Sequence, residues 1–298
     1  MYLKHFNLHD TPFTLTPNTQ YFCRLPGYQA ALNVLLLHLR NGEGFIKVTG
    51  KVGSGKTLLC RLLLEQLKDP FVTAYIPNPD LESMMLRKNL AAELGINTDE
   101  CNDPYKLLSA INEKLMTLHR EGKKVVLVID EAQALPAESL ETLRLLTNLE
   151  TEKAKLLQIV LFGQPELDKR LRQDSLRQLH QRIGFSCQLP LLRYSELLPY
   201  LQHRLAIAGY CGKRPLFSTS ARRLLFRRSG GTPRLINILS HKAMMSAYGR
   251  GRRRVALCDV RQAVSDTESV IASQDWMVVG LGLLLAAFAA LFLYYWKY

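Results

Sequence analysis

GKVGSGKT (residues 50–57) sets Gly50, Gly55, Lys56 and Thr57 at the fixed positions of a G-x-x-x-x-G-K-[ST] loop. Those residue types at that spacing suit phosphate. Glycines let backbone N–H groups curl around phosphate oxygens, and the helix that follows adds partial positive charge at its N-terminus. Gly50, Lys51, Val52, Gly53, Ser54, Gly55, Lys56 and Thr57 are therefore expected to cradle a nucleotide. Lys56 would reach the β and γ phosphates, and the Thr57 hydroxyl would ligate Mg²⁺. VVLVIDEA (125–132) supplies two carboxylates at the end of an apolar run. Asp130 stands where it would hold magnesium through water, and Glu131 where it would polarise an attacking water. The expected cofactors are ATP and Mg²⁺.

Such a loop needs a strand running into it and a helix leaving it. FIKVTG (45–50) reads as the strand and TLLCRLLLEQLK (57–68) as the helix. Further strands are read at 71–79, 124–132, 155–165 and 185–192. Helices are read at 28–42, 81–95, 103–122, 137–150 and 166–182. Strands alternating with helices specify an α/β fold with a parallel sheet. From Tyr194 the pattern becomes helical, with glycines 209, 230, 231 and 249 between segments. The expected domains are 1–193 for nucleotide binding, 194–268 for a basic helical lid, and an apolar segment at 276–296.

Residues 276–296 pass without a charge, and aromatic residues stand at both ends. A bilayer core about 30 Å thick is spanned by roughly 20 apolar residues, so one transmembrane helix is expected here. Arg250, Arg252, Arg253, Arg254 and Arg261 precede it and Lys297 follows, which places the preceding domains in the cytoplasm. MYLKHFNLHD at the N-terminus has no signal-peptide core. Residues 201–261 carry 14 Lys or Arg and a single acid, Asp259, so that segment equals the whole chain's net charge of +13. Such a module could face anionic lipid, nucleic acid or an acidic partner. The six cysteines show no C-x-x-C pair and read as reduced thiols, and the seven histidines form no ligand pattern.

With these motifs in this order the chain resembles the AAA+ family of P-loop ATPases. GGTPRLIN (230–237) is similar to that family's sensor-2 motif, which implies that Arg234 points at the γ-phosphate. HQRIGF (180–185) puts Arg182 where the family carries an arginine finger for a neighbouring subunit's nucleotide, with Arg177 as the rival. A finger implies self-association. Sensor 1 belongs at the end of the fourth strand, where Gln164 is the nearby candidate. PFTLTPNTQYF, VIDEAQAL, LFGQPELDKRL and QLHQRI extend the resemblance, over about residues 1–265, to the ExeA/GspA group of secretion ATPases. That group implies a bacterial inner-membrane ATPase assisting assembly of a type II secretion or type IV (MSHA-like) pilus machine, with its assembly proteins as partners. Members that continue beyond their span carry a cell-wall-binding domain, and none is expected from this sequence. The alternative is a DNA-binding AAA+ ATPase of the transposition or replication type, which the basic segment suits.

Overall fold

A computed structural model of the chain describes residues 2–98, 103–152 and 154–268. In chain order the elements begin with α1 (Tyr2–His5), α2 (Pro26–Arg40), β1 (Phe45–Thr49), α3 (Lys56–Gln66), β2 (Phe71–Ile76) and α4 (Ser83–Glu93). Next come α5 (Pro104–Arg120), β3 (Lys124–Ile129), α6 (Ala137–Leu146), β4 (Leu157–Gly163), α7 (Pro165–Leu171), α8 (Arg177–Gln181) and β5 (Phe185–Gln188). The last four are α9 (Tyr194–Ile207), α10 (Thr219–Ser229), α11 (Pro233–Gly249) and α12 (Leu257–Ser265). They divide into two compact units, one of residues 17–190 and one of residues 1–16 with 191 onward.

In the first unit the five strands form one parallel sheet in the order β2-β3-β4-β1-β5. Every residue of β4, and Val125–Ile129 of β3, is buried, as expected of strands covered on both faces. β5 is an edge strand and alternates between exposed and half-buried residues. Helix α5 packs Leu107, Ile111 and Leu115, spaced four apart, as one apolar stripe in the core. Truncating any of them to Ala would cost about 2–5 kcal/mol. Register pairs Thr49 with Gly163 and Ile129 with Leu161, so β1, β3 and β4 end side by side. Ligands of open α/β sheets bind at such carboxyl ends. A charge within β1 enters this interior: Lys47, 7% exposed, is paired with Asp168 of α7.

The helix read across 166–182 is broken. α7 ends at Leu171, a 3₁₀ turn covers Asp174–Leu176, and α8 starts at Arg177. Leu167, Leu171, Leu176 and Leu179 are all buried. The step of five from 171 to 176 does not fit a helical stripe, so the break resets the phase and brings both halves inward.

The second unit is helical. Residues 1–16 belong to it, whereas the sequence reading gives them to the nucleotide-binding domain. Phe6, Leu8 and Phe13 are buried, and Phe13 meets Phe217 edge-on. The His9 N–H donates to the Ala208 carbonyl at 2.9 Å. Buried Arg204 donates through Nε to the Pro12 carbonyl at 2.6 Å. These apolar residues are too few to form a core, and nothing in their pattern says which core will take them. Among the described residues no helix is long and apolar enough to cross a membrane. The expected span at 276–296 lies outside them.

Candidate active site

β1 enters the loop at Gly50, whose N–H donates to the Gly163 carbonyl at 3.1 Å. Gly50 is required by close approach: a Cβ there would lie 2.7 Å from Ser54 Oγ and 3.2 Å from Leu189 Cβ. Gly55, at φ +96°, caps α3 in the left-handed region that side chains avoid. The Tyr28 hydroxyl donates to the Ser54 carbonyl at 2.7 Å and braces the loop from α2. Ser54 is fully buried, and its hydroxyl has no hydrogen-bond partner among the described residues. Lys51 and Val52 are exposed at the loop's outer turn, and Gly53 stands beside them at φ +74°.

Lys56, 5% exposed, curls back so that Nζ donates to the carbonyls of Gly50 at 3.0 Å and Lys51 at 3.3 Å. Burial lowers its pKa, against the pull of the Glu131, Asp130 and Glu166 carboxylates. Asp130, 2% exposed, has a pKa raised by burial. A hydrogen bond from Thr57 and the Glu131 N–H, 2.9 Å from Oδ1, oppose that shift. One hydroxyl and one buried carboxylate in contact form an oxygen-only donor pair. It fits a hard cation that keeps several of its own waters, which is how Mg²⁺ binds.

Glu131 is half-buried at φ +51°, an uncommon conformation for a residue with a side chain. Its Oε2 accepts from Gln133 Nε2 at 2.5 Å and from Gln164 Nε2 at 3.3 Å. Gln164 closes β4 and touches the same carboxylate that the sequence reading makes the base. Gln133 and Tyr28 are absent from the sequence reading. The short spacing to Glu131 is a signal for Gln133; for Tyr28, an aromatic inside an ordinary helix, none exists.

Arg182 is exposed at the end of α8, and its Nη1 donates to Thr147 Oγ1 at 3.1 Å. Arg177 is exposed at the start of α8. In the helical unit, Arg234 is exposed in the first turn of α11, behind Pro233. Gly231 before it is dictated by packing: a Cβ would lie 2.2 Å from the Leu192 carbonyl oxygen.

Residues 39–171 match the family model described as AAA domain. The chain is 39% identical over 291 residues to general secretion pathway protein A of Aeromonas hydrophila. That match covers 96% of this chain and 53% of that protein, so the chain spans about half its relative's length. Among solved structures, Cdc6p of Pyrobaculum aerophilum is similar with a TM-score of 0.65 and 20% identity, covering 86% of this chain and 70% of that one. ORC2 of Aeropyrum pernix, in ADPNP and ADP complexes, has a TM-score of 0.60 and 20% identity, covering 85% and 72%. A RuvB structure of Thermotoga maritima has 0.54 and 15%, covering 86% and 73%. At these identities the likeness to solved structures shows the fold. Residues 39–171 thus match an AAA domain of the P-loop ATPase kind, within a parallel α/β sheet that a helical part follows, and the chain is similar over nearly its whole length to a protein of the ExeA/GspA group.

Proposed function

We propose that the protein is a membrane-anchored AAA+ ATPase that hydrolyses ATP to assist assembly of a secretion or pilus machine at the bacterial inner membrane. The observation that carries the secretion reading is the 39% identity, over nearly the whole chain, to general secretion pathway protein A. The blocks PFTLTPNTQYF, VIDEAQAL, LFGQPELDKRL and QLHQRI are similar to those of the MSHA pilus biogenesis protein MshM, which supports a type IV pilus client beside a type II secretion client. The charge-free segment at 276–296 is the proposed single-pass anchor, with the ATPase on the cytoplasmic side.

In this reading Gly50–Thr57 bind the triphosphate, and Lys56 leaves its carbonyl partners for the β and γ oxygens. Thr57 and Asp130 would hold Mg²⁺, which neutralises phosphate charge when bound. Glu131 takes a proton from the attacking water as the bond from water oxygen to γ-phosphorus forms. The bond from that phosphorus to the β–γ bridging oxygen breaks, leaving ADP and phosphate. Arg234 would answer to the γ-phosphate from the lid, and Arg182 would serve a neighbouring copy in an oligomer.

Two measurements test this. Glu131→Gln should bind ATP yet hydrolyse it at least about tenfold more slowly; turnover at the wild-type rate would remove Glu131 from the role. Crosslinking of the full chain in envelope membranes, with and without ATP, should capture inner-membrane assembly proteins. Capture of DNA instead, weakened by salt, would transfer the function to the nucleic-acid reading that the basic segment suits.

A further inference from the structure

Gln133 uses both ends of its side-chain amide. Nε2 donates to Glu131 Oε2 at 2.5 Å, and Oε1 accepts the backbone N–H of Gln164 at 2.9 Å. It therefore ties the turn after β3 to the end of β4. The backbone beneath it is fixed from a third element: Arg170 of α7 donates through Nη1 to the Gln133 carbonyl and through Nη2 to the Leu135 carbonyl, each at 2.5 Å. The Ala134 N–H returns to the Glu131 carbonyl at 2.8 Å and closes the 3₁₀ turn. This frame holds Glu131 at its positive φ, a conformation that persists where surrounding contacts over-determine it.

The oxygens of Glu131 are also treated unequally. Both amides, from Gln133 and Gln164, reach Oε2, and among the described residues Oε1 takes no hydrogen bond. From this asymmetry we infer that Gln133, backed by Arg170, is a positioning residue for hydrolysis: it fixes the Glu131 carboxylate through Oε2 and presents Oε1 to the water. The inference rests on Glu131 being the base. Only an amide fits the position. A Glu would lose the donor and set two carboxylates together; a Leu would fill the volume and make neither bond. Catalytic groups held loosely by their surroundings lose one to two orders of magnitude in rate.

The test is a double-mutant cycle in the full-length protein, with ATP affinity, KM, kcat and thermal unfolding measured for each variant. Gln133→Leu should lower kcat at least tenfold while KM and ATP affinity stay within twofold. Gln133→Asn, which keeps the amide on a shorter stem, should recover part of the rate. In the Glu131→Gln background, Gln133→Leu should have no further effect, because its influence passes through the lost carboxylate. If the two substitutions multiply, or if Gln133→Leu raises kcat, the positioning role is wrong. If Glu131→Gln alone retains full turnover, the base assignment has failed, whatever Gln133 does. Should Gln133→Leu melt well below the wild type, Arg170→Lys with the same cycle decides, since it loosens the turn and leaves the amide in place.

Discussion

In the nucleotide site two charges, Lys56 and Asp130, are buried, whereas in the helical unit the charges are many and mostly exposed. Lys56 and Asp130 are 5 and 2% exposed, and each has named partners within the loop and strand ends. The helical unit contains the segment that accounts for the chain's whole net charge. Yet Arg223, Arg227, Arg253, Arg254 and Arg261 are exposed, and a solvated charge contributes little to any single interaction. Chemistry is placed in the first region by desolvation and fixed geometry. What the second region offers is a field, which acts on any anion and selects none by shape.

The largest effect expected of any change is at Lys56. Its ammonium is held inside the protein against burial that lowers its pKa. Lys56→Ala should therefore abolish ATP binding, and all turnover with it, since the charge-assisted phosphate contacts are lost. It should melt within about 2 °C of the wild type, because binding residues are seldom optimised for stability. A large fall in melting temperature would mean that the buried cation is structural, and the contrast with the helical unit would lose its basis.

Next in size is the exposed Arg182. By burial alone it belongs with the solvated arginines, but a finger acts across a subunit boundary and can supply 10³-fold or more in phosphoryl transfer. Arg182→Ala should bind ATP normally and lose about that factor in kcat. Mixing it with Lys56→Ala subunits should restore part of the rate, since each supplies what the other lacks. If Arg177→Ala behaves so and Arg182→Ala does not, the hydrogen bond from Arg182 to Thr147 is its whole task.

How far the sequence reveals these two regions differs in the same way. The loop and the Asp130–Glu131 pair are legible because a phosphate loop dictates residue types at fixed spacing over one turn. The strands are legible as apolar runs. What escapes is whatever depends on partners distant in sequence. Gln133 meets Gln164 31 residues on, and an isolated glutamine signals nothing. Residues 2–16 dock on the helical unit some two hundred residues away, through Arg204 of α9 and Phe217 before α10. The break between α7 and α8 was readable in principle, from the five-residue step between Leu171 and Leu176, but helical propensity runs across it.

The smallest effect separates two kinds of charge inside the helical unit itself. Asp259 is fully buried, and its Oδ2 accepts the Ala256 N–H at 2.8 Å, capping the first turn of α12. Arg250 lies 3.3 Å from Oδ1 and Arg252 3.6 Å from Oδ2, with 40 and 44% of their side chains exposed. Removing this acid strands a part-buried N–H and takes the shared anion from two cations, though water can still reach both. Asp259→Ala should cost about 2–3 kcal/mol, read as a melting temperature about 5–10 °C lower. Arg253 and Arg254 stand one and two residues beyond Arg252 and make no such contact to Asp259. The double change Arg253→Ser with Arg254→Ser should move the melting temperature by no more than about 2 °C, as surface substitutions do. Its ATP affinity should equal the wild type's, because neither residue belongs to the phosphate loop. A melting shift as large as that of Asp259→Ala would mean that these two arginines have structural partners. The division between buried, fixed charge and exposed, diffuse charge would then fail in the region where it is drawn most sharply.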